Sequence, residues 1–147
     1  MSVSERTFTA DLTRAGGVIM IILGMVDLLR VLVAAGVVGI TLQGVKNVLQ
    51  LVNSSVFLVG VGLAAIVFAA AVVTIVSVII FGLKMYKLGE RIEKGSLSSA
   101  TKKKWMKALA VDLAASIIVG AILSAIGTTL ALIGLLLAPG AERQERR

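Results

Sequence analysis

The fold is decided by residues 56–83, VFLVGVGLAAIVFAAAVVTIVSVIIFGL, a stretch without a single charged side chain. The uncharged run that contains it lies between Lys46 and Lys84 and is 37 residues long. A transmembrane α-helix needs about 20 residues, and a charge at the bilayer centre costs at least about 2.5–3.5 kcal/mol. The stretch therefore predicts a helix that can cross a bilayer.

A second uncharged run of 29 residues lies between Asp112 and Glu142, and its apolar part, 113–137, is ended by Pro139 and Gly140. It is also long enough to span. Together the two runs predict an all-α protein. Its core is two long hydrophobic transmembrane-type helices joined by a basic turn, a helical hairpin, and a hydrophobic or amphipathic helix precedes them.

Composition agrees with a membrane protein. The chain is 58% hydrophobic and 16% charged with a mean hydropathy of +1.02, whereas soluble domains are about 45–50% apolar and roughly 25% charged. It contains no Cys and no His. These absences exclude a thiol nucleophile, a disulfide and a Ser-His-Asp triad, and they argue against zinc, haem and iron–sulfur sites. The sequence therefore predicts a structural role without catalytic or metal-binding residues.

The N-terminal third is apolar over residues 17–42 but carries Asp27 and Arg30 in its middle. The two residues are spaced i and i+3, so they share a helix face and can neutralise each other as an intramembrane ion pair. Two interpretations remain open, a third spanning helix or a helix that lies along the interface. A signal peptide ending at Val33-Ala34-Ala35 is the other alternative, and the two charges within its apolar region argue against it.

Most of the net charge lies in the predicted turn, residues 84–107, which has eight cations and two anions. Gly89 and Gly95 are expected to end the preceding helix, and one of Ser96, Ser98 and Ser99 to cap the next. By the positive-inside bias the turn is cytoplasmic and the C-terminus lies on the opposite face. Three explanations of these cations stay open. They set the membrane topology and do nothing else, they bind anionic lipid, or they bind nucleic acid.

Small residues recur at helical spacing and predict close helix packing. The last helix has Ser116, Gly120, Ser124 and Thr128, and the middle helix has Gly60, Ala64, Ala65 and Ala69. One contact between the two helices of a subunit does not use both of these faces, so small-residue surface is left for contacts between subunits. The pattern therefore predicts self-association into a homo-oligomer.

The region from Leu51 to Leu137 resembles the pilins of conjugative, type IV secretion-type pili. The resemblance is carried by Gly60-Val61-Gly62-Leu63-Ala64-Ala65, by the turn around Gly89-Glu90-Arg91 and by the small residues of 120–134. It implies a hairpin stored in the cell membrane with its turn in the cytoplasm. Subunits would then leave the bilayer with bound phospholipid and stack into an extracellular filament used for DNA transfer. An extra helix at the N-terminus would fit a divergent, archaeal-type DNA-transfer pilus.

The resemblance also implies site residues and partners. The turn would line a lumen, near lipid headgroups or DNA, through Lys87, Arg91, Lys94, Lys102, Lys103 and Lys104. The partners would be further copies of the chain, membrane lipid, a type IV secretion-type assembly machinery and DNA in transit.

The predicted organisation is an N-terminal helical segment (1–50), the hairpin (51–138) and a short charged tail (139–147). Three other classes fit the same pattern. They are a holin-like protein that forms membrane lesions, a hydrophobic structural protein of a membrane-containing or spindle-shaped virus, and a small accessory subunit of a membrane complex.

Overall fold

A computed structural model describes residues 3–49 and 54–139, and the side chains at 46–49, 54 and 56 are outside that description. The described part is all-helical and has no strand, which confirms the predicted class. Gln50 and the predicted tail from residue 140 onward lie outside the described residues. The helices are α1 (Val3–Leu49), α2 (Ser54–Glu93), α3 (Ser99–Ile118) and α4 (Ile122–Leu137).

Two of the described helices are long and apolar enough to cross a membrane, over Val3–Val45 in α1 and Phe57–Glu93 in α2. Their length and composition alone suggest membrane association. The N-terminal segment is thus one continuous helix of 47 residues, about 70 Å long at 1.5 Å per residue. The two long apolar helices are therefore α1 and α2. The prediction that residues 113–137 form one of the two spanning helices is wrong.

The stretch 113–137 is broken at its centre because Gly120 adopts a left-handed conformation, with φ of +76°. The end of α3 is closed there by Val119 N, which donates to Ala115 O (3.0 Å), and by Ala121 N, which donates to Ser116 O (2.8 Å). A new helix then begins at Ile122. Hydropathy predicts one long helix here because it does not register the backbone angle of a single glycine.

After this break α4 folds back antiparallel to α3. The Lys102 ammonium at the start of α3 donates to Leu136 O (3.0 Å) and to Ala138 O at the end of α4. The C-terminal end of α4 therefore lies at the same end of the molecule as the basic connector. The predicted placement of these two regions on opposite faces is wrong.

Replacing Gly120 with alanine should destabilise the α3–α4 hairpin by about 1–2 kcal/mol, because an L side chain is disfavoured at positive φ. A Cβ there would meet no heavy atom within 4 Å among the described residues, so the effect is conformational and not steric. Chemical denaturation of the detergent-solubilised protein measures it. Gly120→Asn is the matched control and should cost less, since Asn tolerates this conformation. Equal losses for both variants would contradict the account.

The predicted turn 84–107 is mostly helical. Helix α2 continues through Gly89 to Glu93, so the expected break at Gly89 is wrong. The chain leaves α2 at Gly95, whose φ is +67°, and the Ser98 hydroxyl caps α3 by accepting from Thr101 N at 3.2 Å. The irregular connector is therefore only residues 94–98.

Helix α1 is the centre of the packing, with α2 and α4 on its sides. Two adjacent glycines make this possible. A Cβ on Gly16 would lie 2.5 Å from Ala131 N of α4, and a Cβ on Gly17 would lie 2.6 Å from Gly82 O of α2. Both neighbouring helices therefore approach the α1 backbone directly.

The two long helices extend beyond the α3–α4 hairpin as an antiparallel pair, which we call the apolar arm (31–45 of α1 and 57–70 of α2). Its half-buried side chains recur at spacings of four and seven, as in a coiled-coil seam. They are Val31, Ala35, Leu42, Phe57, Val61 and Phe68. Every other described side chain of the arm is exposed.

Candidate functional site

The polar centre of the molecule is Asp27 on α1, whose residue is only 2% exposed. Its Oδ2 accepts two hydrogen bonds of 2.8 Å, from Ser124 N and from Ser124 Oγ on α4. Its Oδ1 accepts from Arg30 Nη1 at 3.2 Å. The Asp27–Arg30 pair therefore exists in the fold, and its carboxylate also holds a second helix.

Asp27 acts as a remote cap for α4. The N-cap residue Ala121 has no side-chain acceptor, so the first amides of α4 lack a local partner. Asp27 supplies the acceptor from 97 positions away, and its negative charge suits the positive end of the helix dipole. Sequence reasoning missed this contact. The available signal was a helix start without a capping residue, together with an acid within an apolar helix.

A cavity of about 510 Å³ lies beside the ion pair, between α1 and the tip of the α3–α4 hairpin. Asp27, Arg30 and Gly120 line it together with apolar side chains. The Arg30 side chain is 62% exposed and uses one contact to Asp27. The cavity therefore combines apolar walls with guanidinium donors.

A second polar cluster lies inside the hairpin, outside the two candidate spanning helices. Asp112 of α3 is 5% exposed, and its Oδ2 lies 3.3 Å from Thr128 Oγ1 of α4. Burial raises the pKa of Asp112 to about 6, and the hydrogen bond from Thr128 opposes part of this shift. Asp112 is therefore buried between the two helices of the hairpin.

The predicted packing residues separate into two groups. Ser116, Ser124 and Thr128 are fully buried, but they lie on both arms of the hairpin, and Gly120 forms its turn. The predicted continuous face along one helix is therefore wrong. The residues expected to pack on α2 are exposed in the single chain, namely Gly60, Ala64, Ala65 and Ala69.

The glycines of α1 that bring helices together escaped the sequence prediction. In addition to Gly16 and Gly17, a Cβ on Gly127 would lie 2.7 Å from Met20 N, and a Cβ on Gly134 would lie 2.9 Å from Thr13 N. The adjacent glycines of α1 were the available signal, because a mid-helix glycine costs about 1 kcal/mol relative to alanine and needs a packing reason.

Cations concentrate at one end of the molecule, which we call the basic end (84–107 with the end of α4). Its exposed side chains include five of the six predicted lumen residues, Lys87, Arg91, Lys94, Lys103 and Lys104. Lys102 is half-buried and binds the carbonyl oxygens at the end of α4. These residues therefore lie at one end of the molecule, and Lys102 has a structural contact there.

No family model, curated protein or solved structure matches this chain. The pilin resemblance therefore stays a prediction from sequence pattern. The apolar arm, the basic end and the buried carboxylates are the features from which a function can be derived.

Proposed function

We propose that this chain is a membrane-embedded subunit that associates with further copies of itself through the apolar arm. The observation that carries the proposal is the set of glycines on the arm. Among the described residues, a Cβ on any of them would meet no heavy atom within 4 Å; they are Gly36, Gly39, Gly44, Gly60 and Gly62. In the rest of the bundle most helical glycines lie where another helix touches the backbone.

Among the residues that the structure describes, the arm glycines have no packing partner within one chain. Lipid covers apolar side chains as well as protein does, but lipid does not require glycine, which destabilises a helix interior by about 1 kcal/mol. Close approach of another copy would give these positions the role that Gly16 and Gly17 have inside the subunit.

The extent of the surface supports the same conclusion. The chain exposes 9313 Å², whereas a compact monomer of 15.3 kDa is expected to expose roughly 7,100 Å². The uncharged part of α2, residues 54–83, is about 45 Å long, and the hydrocarbon core is about 30 Å thick. A mismatch of this size favours tilting or helix association over a lone upright subunit.

The specific form we propose is a pilin of the conjugative type, in a lipid-containing filament for DNA transfer. The charge distribution supports it, because one end of an otherwise apolar subunit carries the exposed cations Lys87, Arg91 and Lys94. Stacked copies would place these ends together, where phosphates of lipid or DNA neutralise them. The long helices of such a filament would be α1 and α2.

Electron microscopy of material sheared from cells, with mass spectrometry of the same fraction, tests this form. Filaments that contain this chain and phospholipid are the expected result. Oligomers that remain in the membrane fraction would support self-association and contradict the filament. Cell lysis on expression would favour the holin-like alternative, and chain-containing spindles or vesicles would favour the virus protein.

Replacing both Gly36 and Gly39 with leucine should weaken self-association at least about tenfold, or about 1.4 kcal/mol. The two positions share a helix face and have open space beside them, so the fold of the subunit should not change. Analytical ultracentrifugation in detergent measures the association. The variant with alanine at both positions is the control and should be weakened less than the leucine variant, since a methyl group holds the helices apart by less than an isobutyl group does. If the leucine variant associates like the natural chain, this helix face is not the contact between subunits.

A further inference from the structure

Asp112 is a buried carboxyl group that forms no ion pair with the described residues. Among the described residues, the ion pairs within 4 Å join Arg14 to Asp11, Arg14 to Glu93 and Arg30 to Asp27. Asp112 is in none of them, although its residue is 5% exposed. A buried carboxylate in this situation is strongly disfavoured against its neutral form.

No cation on the described helices lies within 4 Å of the Asp112 carboxyl group, and the cations of α2 begin at Lys84, towards the basic end. Helix α4 has no ionisable residue, and α2 has none over 54–83. On α1 the ionisable residues between Arg14 and Val45 are Asp27 and Arg30, which pair with each other. On α3 itself the nearest ionisable residue along the chain is Lys107, which is exposed.

The hydroxyl group of Thr128 compensates an ionised Asp112 only in part. Thr128 Oγ1 lies 3.1 Å from Ser124 O and 3.3 Å from Asp112 Oδ2, but it has one hydrogen to donate. The carboxylate and Ser124 O therefore compete for one donor, and this hydrogen bond lowers the pKa of Asp112 by less than burial raises it.

Ser116 is a second sign of a polar interior. It lies one turn after Asp112 on α3, is fully buried, and its Oγ has no hydrogen-bond partner among the described residues. The hairpin interior therefore contains a second buried polar group, one turn from Asp112, beside the carboxyl group and Thr128.

We propose that Asp112 is a reversible proton-binding site that closes the α3–α4 hairpin in its neutral form. Loss of the proton leaves a negative charge between two apolar helices, and the helices must separate enough to admit water. Opening also acts on the hairpin tip, since Ser124 on the same helix is held by Asp27. The site belongs to the single subunit and does not depend on self-association.

Infrared difference spectroscopy of the purified full chain in detergent tests the proton directly. The natural protein should show the C=O stretch of a neutral carboxylic acid that disappears as the pH rises, with a midpoint near 6. Asp112→Asn should lack this band, and Asp11→Asn, at an exposed position, should retain it. Equal bands in the natural protein and Asp112→Asn at every pH would overturn the proposal.

Thr128→Val provides a second variant if Asp112→Asn fails to fold. The hydrogen bond from Thr128 lowers the pKa of Asp112, so its removal should move the midpoint upward. An unchanged or lower midpoint would overturn the assigned contact. This readout separates a proton-binding role from a purely structural one.

Stability should follow the same titration. The pKa of Asp112 is raised in the folded protein, so the folded state holds the proton more tightly than the unfolded state. The stabilisation is complete below the unfolded value of 3.8 and is lost as the pH rises to about 6. Thermal unfolding of Asp112→Asn should lack this loss, and an identical pH dependence in both proteins would contradict the proposal.

Hairpin closure can be measured with spin labels, because the chain has no natural Cys. Lys103→Cys and Leu137→Cys place labels at exposed positions on the open ends of α3 and α4. The distance distribution should be short and narrow at low pH and longer above the midpoint. Adding Asp112→Asn should keep it short throughout. A distribution that does not change with pH in the labelled Asp112 protein would overturn the link between proton and closure.

Discussion

Replacing Asp27 with alanine should lower the free energy of unfolding by about 2–4 kcal/mol, because a buried carboxylate that accepts two hydrogen bonds is removed and their donors stay buried. The variant loses both 2.8 Å hydrogen bonds to Ser124 and leaves Arg30 without its carboxylate. The start of α4 then has an unsatisfied amide and hydroxyl in an apolar setting. Chemical denaturation in detergent, followed by Trp105 fluorescence, measures the loss.

Asp11→Ala is the matched control on the same helix. Its carboxylate is 63% exposed and lies 3.5 Å from Arg14, so its removal should cost less than about 1 kcal/mol. Hydrogen exchange adds a local readout, because Asp27→Ala should reduce protection at the first turn of α4 before other regions. A loss equal to that of Asp11→Ala would show that Asp27 does not hold α4.

Replacing Gly127 with alanine should lower the free energy of unfolding by about 3 kcal/mol, the upper end of the range for an overpacked core. The added methyl group meets backbone atoms, so no side-chain rotation can relieve the clash. The methyl carbon would lie 2.7 Å from Met20 N and 2.8 Å from Met20 Cα. The only relief is separation of α1 from α4, which also lengthens the contact between Asp27 and Ser124. Gly16→Ala should behave in the same way against Ala131.

Gly36→Ala is the control for this prediction, because a Cβ there has no heavy atom within 4 Å among the described residues. It should be neutral or stabilise the subunit by up to about 1 kcal/mol through helix propensity. The same denaturation experiment compares the three variants. If Gly127→Ala is as stable as Gly36→Ala, α1 and α4 do not pack as closely as described.

The capping contact and the glycine contacts differ in how far the sequence could predict them. The spacing of Asp27 and Arg30 predicts their pairing, because i and i+3 are neighbours on any helix. The bond from Ser124 to Asp27 has no local signature, since it joins residues 97 positions apart. For the glycines, composition predicts close packing of helices, but the positions that pack depend on which faces meet. Of the chosen positions, Ser124 and Thr128 are buried but Gly60 is exposed, and Gly16 makes a contact that no pattern singled out.

The amino-acid sequence by itself determined the helical class, the uncharged length of residues 56–83 and the concentration of cations in 84–107. These properties depend only on residues that are close together along the chain, so they can be derived from the sequence alone. Only the tertiary structure decided that 113–137 turns back at Gly120 and returns its end to the basic side. The reason is physical: a left-handed glycine and a cap from Asp27 make a helix break favourable where hydropathy favours continuation.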